Sequence, residues 1–150
     1  MHDERLSLEH RLLSSQAIYF VALLGLCAAY LQGGINKALN FEAAMAEARH
    51  FGLEPAALMA SITIFTELCG SALILTGMLK WLGALWLAGF TLLATFVANR
   101  FWEFAGPERF AVENSFFEHL GLIGGFLLVA WHDVKKEGGR GYLSRKSGPR

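Results

Sequence analysis

Charge is scarce in this chain. Only 17% of its 150 residues are charged, against about 25% in soluble domains. The formal net charge is zero, so no basic surface points to nucleic acid. There are two cysteines, Cys27 and Cys69, with no CxxC pair and no Cys/His spacing for zinc. A thiol relay needs paired cysteines near the membrane surface, so both read as small packing residues in apolar runs. No glycine-rich nucleotide loop and no flavin signature occur. Haem held by two histidines is disfavoured as well, because only His119 falls well inside a spanning segment, and His132 lies about 20 Å further along the same helix.

Apolar residues are abundant. They make up 54% of the chain, and the mean hydropathy is +0.39. The expectation is an all-α integral membrane protein: a four-helix bundle with a short amphipathic helix after the first span. Residues 1–14 read as a cytoplasmic leader, since the apolar run behind them is too long for a cleaved signal and no positive stretch precedes it. Spans are expected at about 15–36, 55–79, 81–100 and 112–132, and residues 133–150 as a flexible basic tail. Asn40 can cap the short helix and Gly52 can end it. Phe41, Ala44, Met45, Ala48 and Phe51 share one of its faces, fit to lie on the membrane surface or to cap the bundle.

Four spans put both termini on one side. Nine cations fall there, among them Arg5, Arg11 and Lys80, against Lys37, Arg49, Arg100 and Arg109 on the other. The positive-inside rule then makes both termini cytoplasmic.

The last span organises the polar residues. Its uncharged part, Leu120 to Trp131, is too short to cross a bilayer, which takes about 20 residues. Glu118 and His119 must therefore enter the membrane, where an ionisable group is a functional-site hypothesis by default. Glu67 is expected near mid-membrane in the second span. Lys37, placed about 20 Å higher by helical rise, leaves it no cation at its own depth; Glu67 would then donate as a neutral acid, for instance to Gln32. Gln32 and Asn36 lie one turn apart on the first span, and Thr91, Thr95 and Asn99 form a stripe on the third. Arg100 and Trp102 close the outer end. Together these residues suggest a polar funnel from the outer surface toward Glu67. The plainer alternatives are a snorkelling Lys37, threonines bonded back to their own helix, and a neutral tie at Glu67. Gly121 and Gly125 read as a close-packing pair.

The segments GGINKALNF, ELCGSALILTG, and FW followed by FFEHLGLIGGFLLVA resemble the DoxX family of small four-helix bacterial membrane proteins. The resemblance covers about Leu12 to Trp131. It rests on Gly34 and Lys37 in GINK and on Glu67, Gly70 and Gly77 in the second span, and is looser at the third segment, where many members lack a histidine at the position of His119. It implies fold more than activity, though related subunits are linked with thiosulfate:quinone oxidoreduction and redox-defence complexes. The first functional expectation is thus a redox-linked subunit holding a quinone-like head group. Glu67, Glu118 and His119 would exchange protons. Gln32, Asn36, Lys37, Thr91, Thr95, Asn99, Arg100 and Trp102 would bind the ligand, with Phe101 and Phe116 as walls. No metal is expected, and any enzymatic role would be that of a quinone-linked oxidoreductase subunit. The alternatives are an accessory subunit, with Arg100 paired to Glu118, or a small transporter. Partners are the bilayer and either another membrane subunit or further copies of the chain.

Overall fold

The computed structural model describes residues 15–146, and for residues 137–146 the backbone alone. The leader 1–14 and residues 147–150 lie outside the described residues. Among the described residues every regular element is helical: α1 (Gln16–Leu39), α2 (Phe41–His50), α3 (Ala56–Thr76), α4 (Lys80–Ala98), a 3-10 turn (Phe101–Glu103) and α5 (Gly106–Lys146). Gln16–Leu39, Ala56–Thr76 and Lys80–Glu103 are each long and apolar enough to cross a membrane.

Local chemistry sets the ends. Ser15 caps α1 by accepting the Ala17 N–H at 3.2 Å. Asn40 closes α1 and caps α2, accepting the Ala43 N–H at 3.1 Å. Gly77, at φ 79°, ends α3 in the left-handed region that glycine enters without strain. No side chain of its own caps α4. Asp133 of α5 supplies that cap from across the bundle, its Oδ2 accepting the Trp81 N–H at 3.1 Å.

The helices pack in the order α1, α3, α4, α5, with α2 laid against the start of α3. Ala44 and Ala48 of α2 are buried, as are Ala56 and Ala60 of α3, so α2 caps the bundle. Glycines let the backbones close up. A Cβ on Gly70 would stand 2.7 Å from the Leu87 side chain, and one on Gly83 2.8 Å from the Gly70 carbonyl. The core contains Leu23, Cys27, Tyr30, Ile74, Leu87 and Phe126, and Cys27 is fully buried as a packing residue. Outward faces of α3 and α4 are apolar, with Leu58, Phe65, Leu93 and Phe96 exposed, which suits lipid.

Two expectations about α5 change. It begins at Gly106, six residues before the expected start, and it stays helical through Lys146 where a flexible tail was expected. Pro107 at the helix start requires no backbone donor, and its fixed φ suits the first turn. Of the expected glycine pair, a Cβ on Gly125 would stand 3.0 Å from the Leu26 side chain of α1, while one on Gly121 would meet nothing within 4 Å.

Candidate functional site

Two polar clusters form inside the half of the bundle that holds the C-terminal end of α1. The first joins α1 to α3. Lys37 Nζ lies 3.0 and 3.3 Å from the two Glu67 carboxylate oxygens. The side chains are 20% and 9% exposed, respectively. Gly33 makes room for the pair: a Cβ there would stand 3.3 Å from Glu67 Oε2 and 3.4 Å from Lys37 Nζ.

This overturns the expected separation of Lys37 from Glu67. The 20 Å figure placed the ends of α1 and α3 on one plane. They are not on one plane, because Gly34 packs directly on Leu68 and the Cβ of Glu67. From that level α1 has five residues left, about 7.5 Å, whereas α3 extends back 11 residues, about 16 Å. The start of α3 therefore overhangs α1, and α2 fills the step. Side chains on a helix lean toward its N-terminus, so Lys37 reaches inward and not out to the surface. Glu67 is thus half of an ion pair with Lys37, not an unpartnered neutral acid donating to Gln32.

The second cluster joins α4 to α5. His119 Nδ1 lies 2.9 Å from Thr95 Oγ1 and 3.1 Å from Asn99 Nδ2. Thr95 is fully buried and Asn99 is 9% exposed. With the Asn99 amide in this orientation its nitrogen donates, so Nδ1 accepts and the neutral ring carries its proton on Nε2. The single hydroxyl proton of Thr95 is shared between Nδ1 and the Thr91 carbonyl, which lies 2.6 Å from Oγ1, in a three-centre bond. Nε2 makes no hydrogen bond among the described residues. The ring is thus held by one nitrogen and presents an N–H from the other.

A link runs between the clusters. Thr91 donates to the Leu87 carbonyl at 2.6 Å, so its hydroxyl proton is engaged and Tyr30 donates to Thr91 Oγ1. The threonines of the stripe bond back to their own helix and also reach other helices. Beside His119 is an aromatic cluster. Phe116, one turn earlier on α5, lies 5.3 Å from Phe101, 6.2 Å from Trp102 and 5.8 Å from Phe96 between ring centroids.

Four expected site residues fall elsewhere. Glu118 is exposed and makes no ion pair among the described residues. Neighbours on a helix are about 100° apart, so burying His119 turns Glu118 outward. Arg100 does not meet Glu118; it pairs with Glu103 at 3.0 Å in the 3-10 turn, with both side chains nearly half exposed. Gln32 and Asn36 share a face, but it points away from the bundle. Tyr30 was missed. It is a buried phenol on an apolar run, and its spacing of one turn from Gly34 was the available signal.

α1 meets α5 through Leu26 with Gly125, Tyr30 with Phe126, and Tyr19 with His132. Lys37 and His119 lie beyond these contacts, nearer the C-terminal end of α1.

A family model, DoxX, matches residues 20–100. The chain belongs to the DoxX family. That match spans α1 through α4, and with three helices fit to cross a bilayer the DoxX chain is a membrane protein. Both residues of the Lys37–Glu67 pair lie within the matched region, whereas His119 lies beyond it. Searches of curated proteins and of solved structures find no match.

Proposed function

We propose that this DoxX protein is a redox-linked subunit of the bacterial plasma membrane that holds a quinone-like head group in the outer half of its bundle. In this reading α5 is the fourth span and both termini are cytoplasmic. The observation that carries the proposal is His119, fixed through Nδ1 by Thr95 and Asn99 and offering its Nε2 proton beside an aromatic cluster. A head group of this class needs N–H or O–H donors for its carbonyl oxygens and flat apolar walls for its ring. The residues present fit it: His119 Nε2 is the donor, and Phe116, Phe101 and Trp102 are the walls. A bound quinone would supply the capacity to accept electrons together with protons.

The chain's own part is to bind, orient and exchange protons. Thr95 and Asn99 keep the imidazole in one tautomer. Lys37 and Glu67 form an acid–base pair that can take up or release a proton near the ligand. Tyr30 and Thr91 tie that pair's helix to α4.

One observation favours a second reading. The Lys37–Glu67 pair is satisfied internally, as expected for a tie in a non-catalytic accessory subunit. Glu67→Gln separates the two, because it keeps a hydrogen-bonding side chain but removes the titratable proton. Extraction of lipids from the purified protein tests the first reading. The expected outcome is a near-stoichiometric quinone that rebinds on addition to the stripped protein. No extracted quinone and no rebinding would overturn it.

A further inference from the structure

Gln32 stands out on α1. It lies about 24 Å from the Gln16 end and about 10 Å from the Leu39 end, a depth inside hydrocarbon about 30 Å thick. It faces out of the chain and makes no side-chain hydrogen bond among the described residues. Lipid offers an amide no partner, so this position is unfavourable unless another polypeptide covers it.

Its neighbours suit a helix. Val21, Gly25, Ala28, Gln32, Ile35 and Leu39 are all exposed and follow in steps of four, three, four, three and four. That is the spacing of a seam between two supercoiled helices. A Cβ on Gly25 would meet nothing within 4 Å, so the seam has an open notch where two backbones can approach.

We propose that the chain forms a parallel homodimer through α1, with Gln32 of each copy hydrogen-bonded to Gln32 of the other across a twofold axis along the membrane normal. Copies inserted in the same orientation can meet only with α1 parallel, and a twofold interface sets each residue near its own counterpart. An amide both donates and accepts, so it pairs with itself. The other outward faces fit this role less well. Those of α3 and α4 are apolar and satisfied by lipid, and that of α5 would oppose Glu118 to its own copy. Lys37 is about 140° around α1 from Gln32, so dimerisation leaves the Lys37–Glu67 pair inside its own bundle. A single polar residue on such a seam also fixes register.

The test uses the full chain in membranes, with the unsubstituted protein as the blank for Cys27 and Cys69. Oxidative cross-linking of Ala28→Cys and Ile35→Cys is expected to give a covalent dimer, and Leu93→Cys, which is 71% exposed on α4, to give none. In liposomes, dilution of donor- and acceptor-labelled protein into added lipid measures the dimer. Gln32→Leu is expected to weaken it about three- to thirty-fold, while Gln32→Asn retains most of it. Because Gln32 faces outward, the Leu variant is expected to keep the wild-type circular dichroism and melting. Three results would overturn the proposal: a monomer at all lipid ratios, cross-linking at Leu93→Cys without Ala28→Cys, or undiminished dimer in a folded Gln32→Leu protein.

Discussion

Replacing Lys37 with methionine removes the ammonium and keeps most of the stem. Glu67, with a side chain 9% exposed, is then left without its partner. Breaking a buried pair from one side costs about 3–5 kcal/mol. The acid can escape by taking up a proton, which for an ordinary carboxylate at pH 7 costs about 3.7 kcal/mol. The expected loss for Lys37→Met is therefore about 3–4 kcal/mol. Glu67→Gln is gentler. Lys37 is 20% exposed and two residues from the end of α1, so its ammonium can swing toward the surface. That loss should be about 1–2 kcal/mol, the scale of a charged hydrogen bond. The double variant Lys37→Met/Glu67→Leu removes both charges and is expected within about 1 kcal/mol of wild type. Unfolding in mixed micelles titrated with SDS, followed by circular dichroism, measures all three. An undisturbed Lys37→Met protein, or a double variant as unstable as Lys37→Met alone, would refute the reasoning.

Three further outcomes follow from the packing and the topology. Gly70→Ala sets a methyl 2.7 Å from Leu87, a fully buried side chain with no space to yield, and should destabilise by about 1–3 kcal/mol in the same titration. Asp133→Ala removes the cap at Trp81 and should lower stability by about 0.5–2 kcal/mol, with faster amide exchange at the start of α4. Cysteines at Ala105 and Gly139 should label from opposite sides of intact cells; labelling from the same side would contradict a spanning α5.

Much of the fold was legible from patterning. Length and hydropathy located the long helices, and Asn40 and Gly52 marked where α1 gives way to α2 and where α2 ends, because cap chemistry is local. The end of α3 was expected at 79, but Gly77 already closes the helix after Thr76. The depth of Lys37 was not legible. Helical rise gives distance along one helix, but the offset between helices is set by packing, here Gly34 on Leu68. Facing was the second gap. Glu118 and His119 are adjacent in sequence, and Gln32 shares a helix with Lys37, yet which of each turns inward depends on the neighbouring helices. Thr95, Asn99 and His119 could be grouped in advance, because antiparallel neighbours set the end of α4 beside the first half of α5. Arg100 was lost to a local partner: the 3-10 turn brings Glu103 within 3.0 Å, a contact needing no tertiary structure.

The central claim is that the outer half of the bundle holds a quinone-like head group on His119. Titration of purified protein in lipid nanodiscs with a short-chain quinone tests it most directly, comparing wild type with His119→Leu and with Leu93→Ala on the lipid-facing side of α4. The account predicts saturable binding by wild type and Leu93→Ala, and a loss of about tenfold or more in His119→Leu, the scale of one charged or well-aligned hydrogen bond. Equal binding by all three proteins, or no saturable binding by wild type, would contradict it.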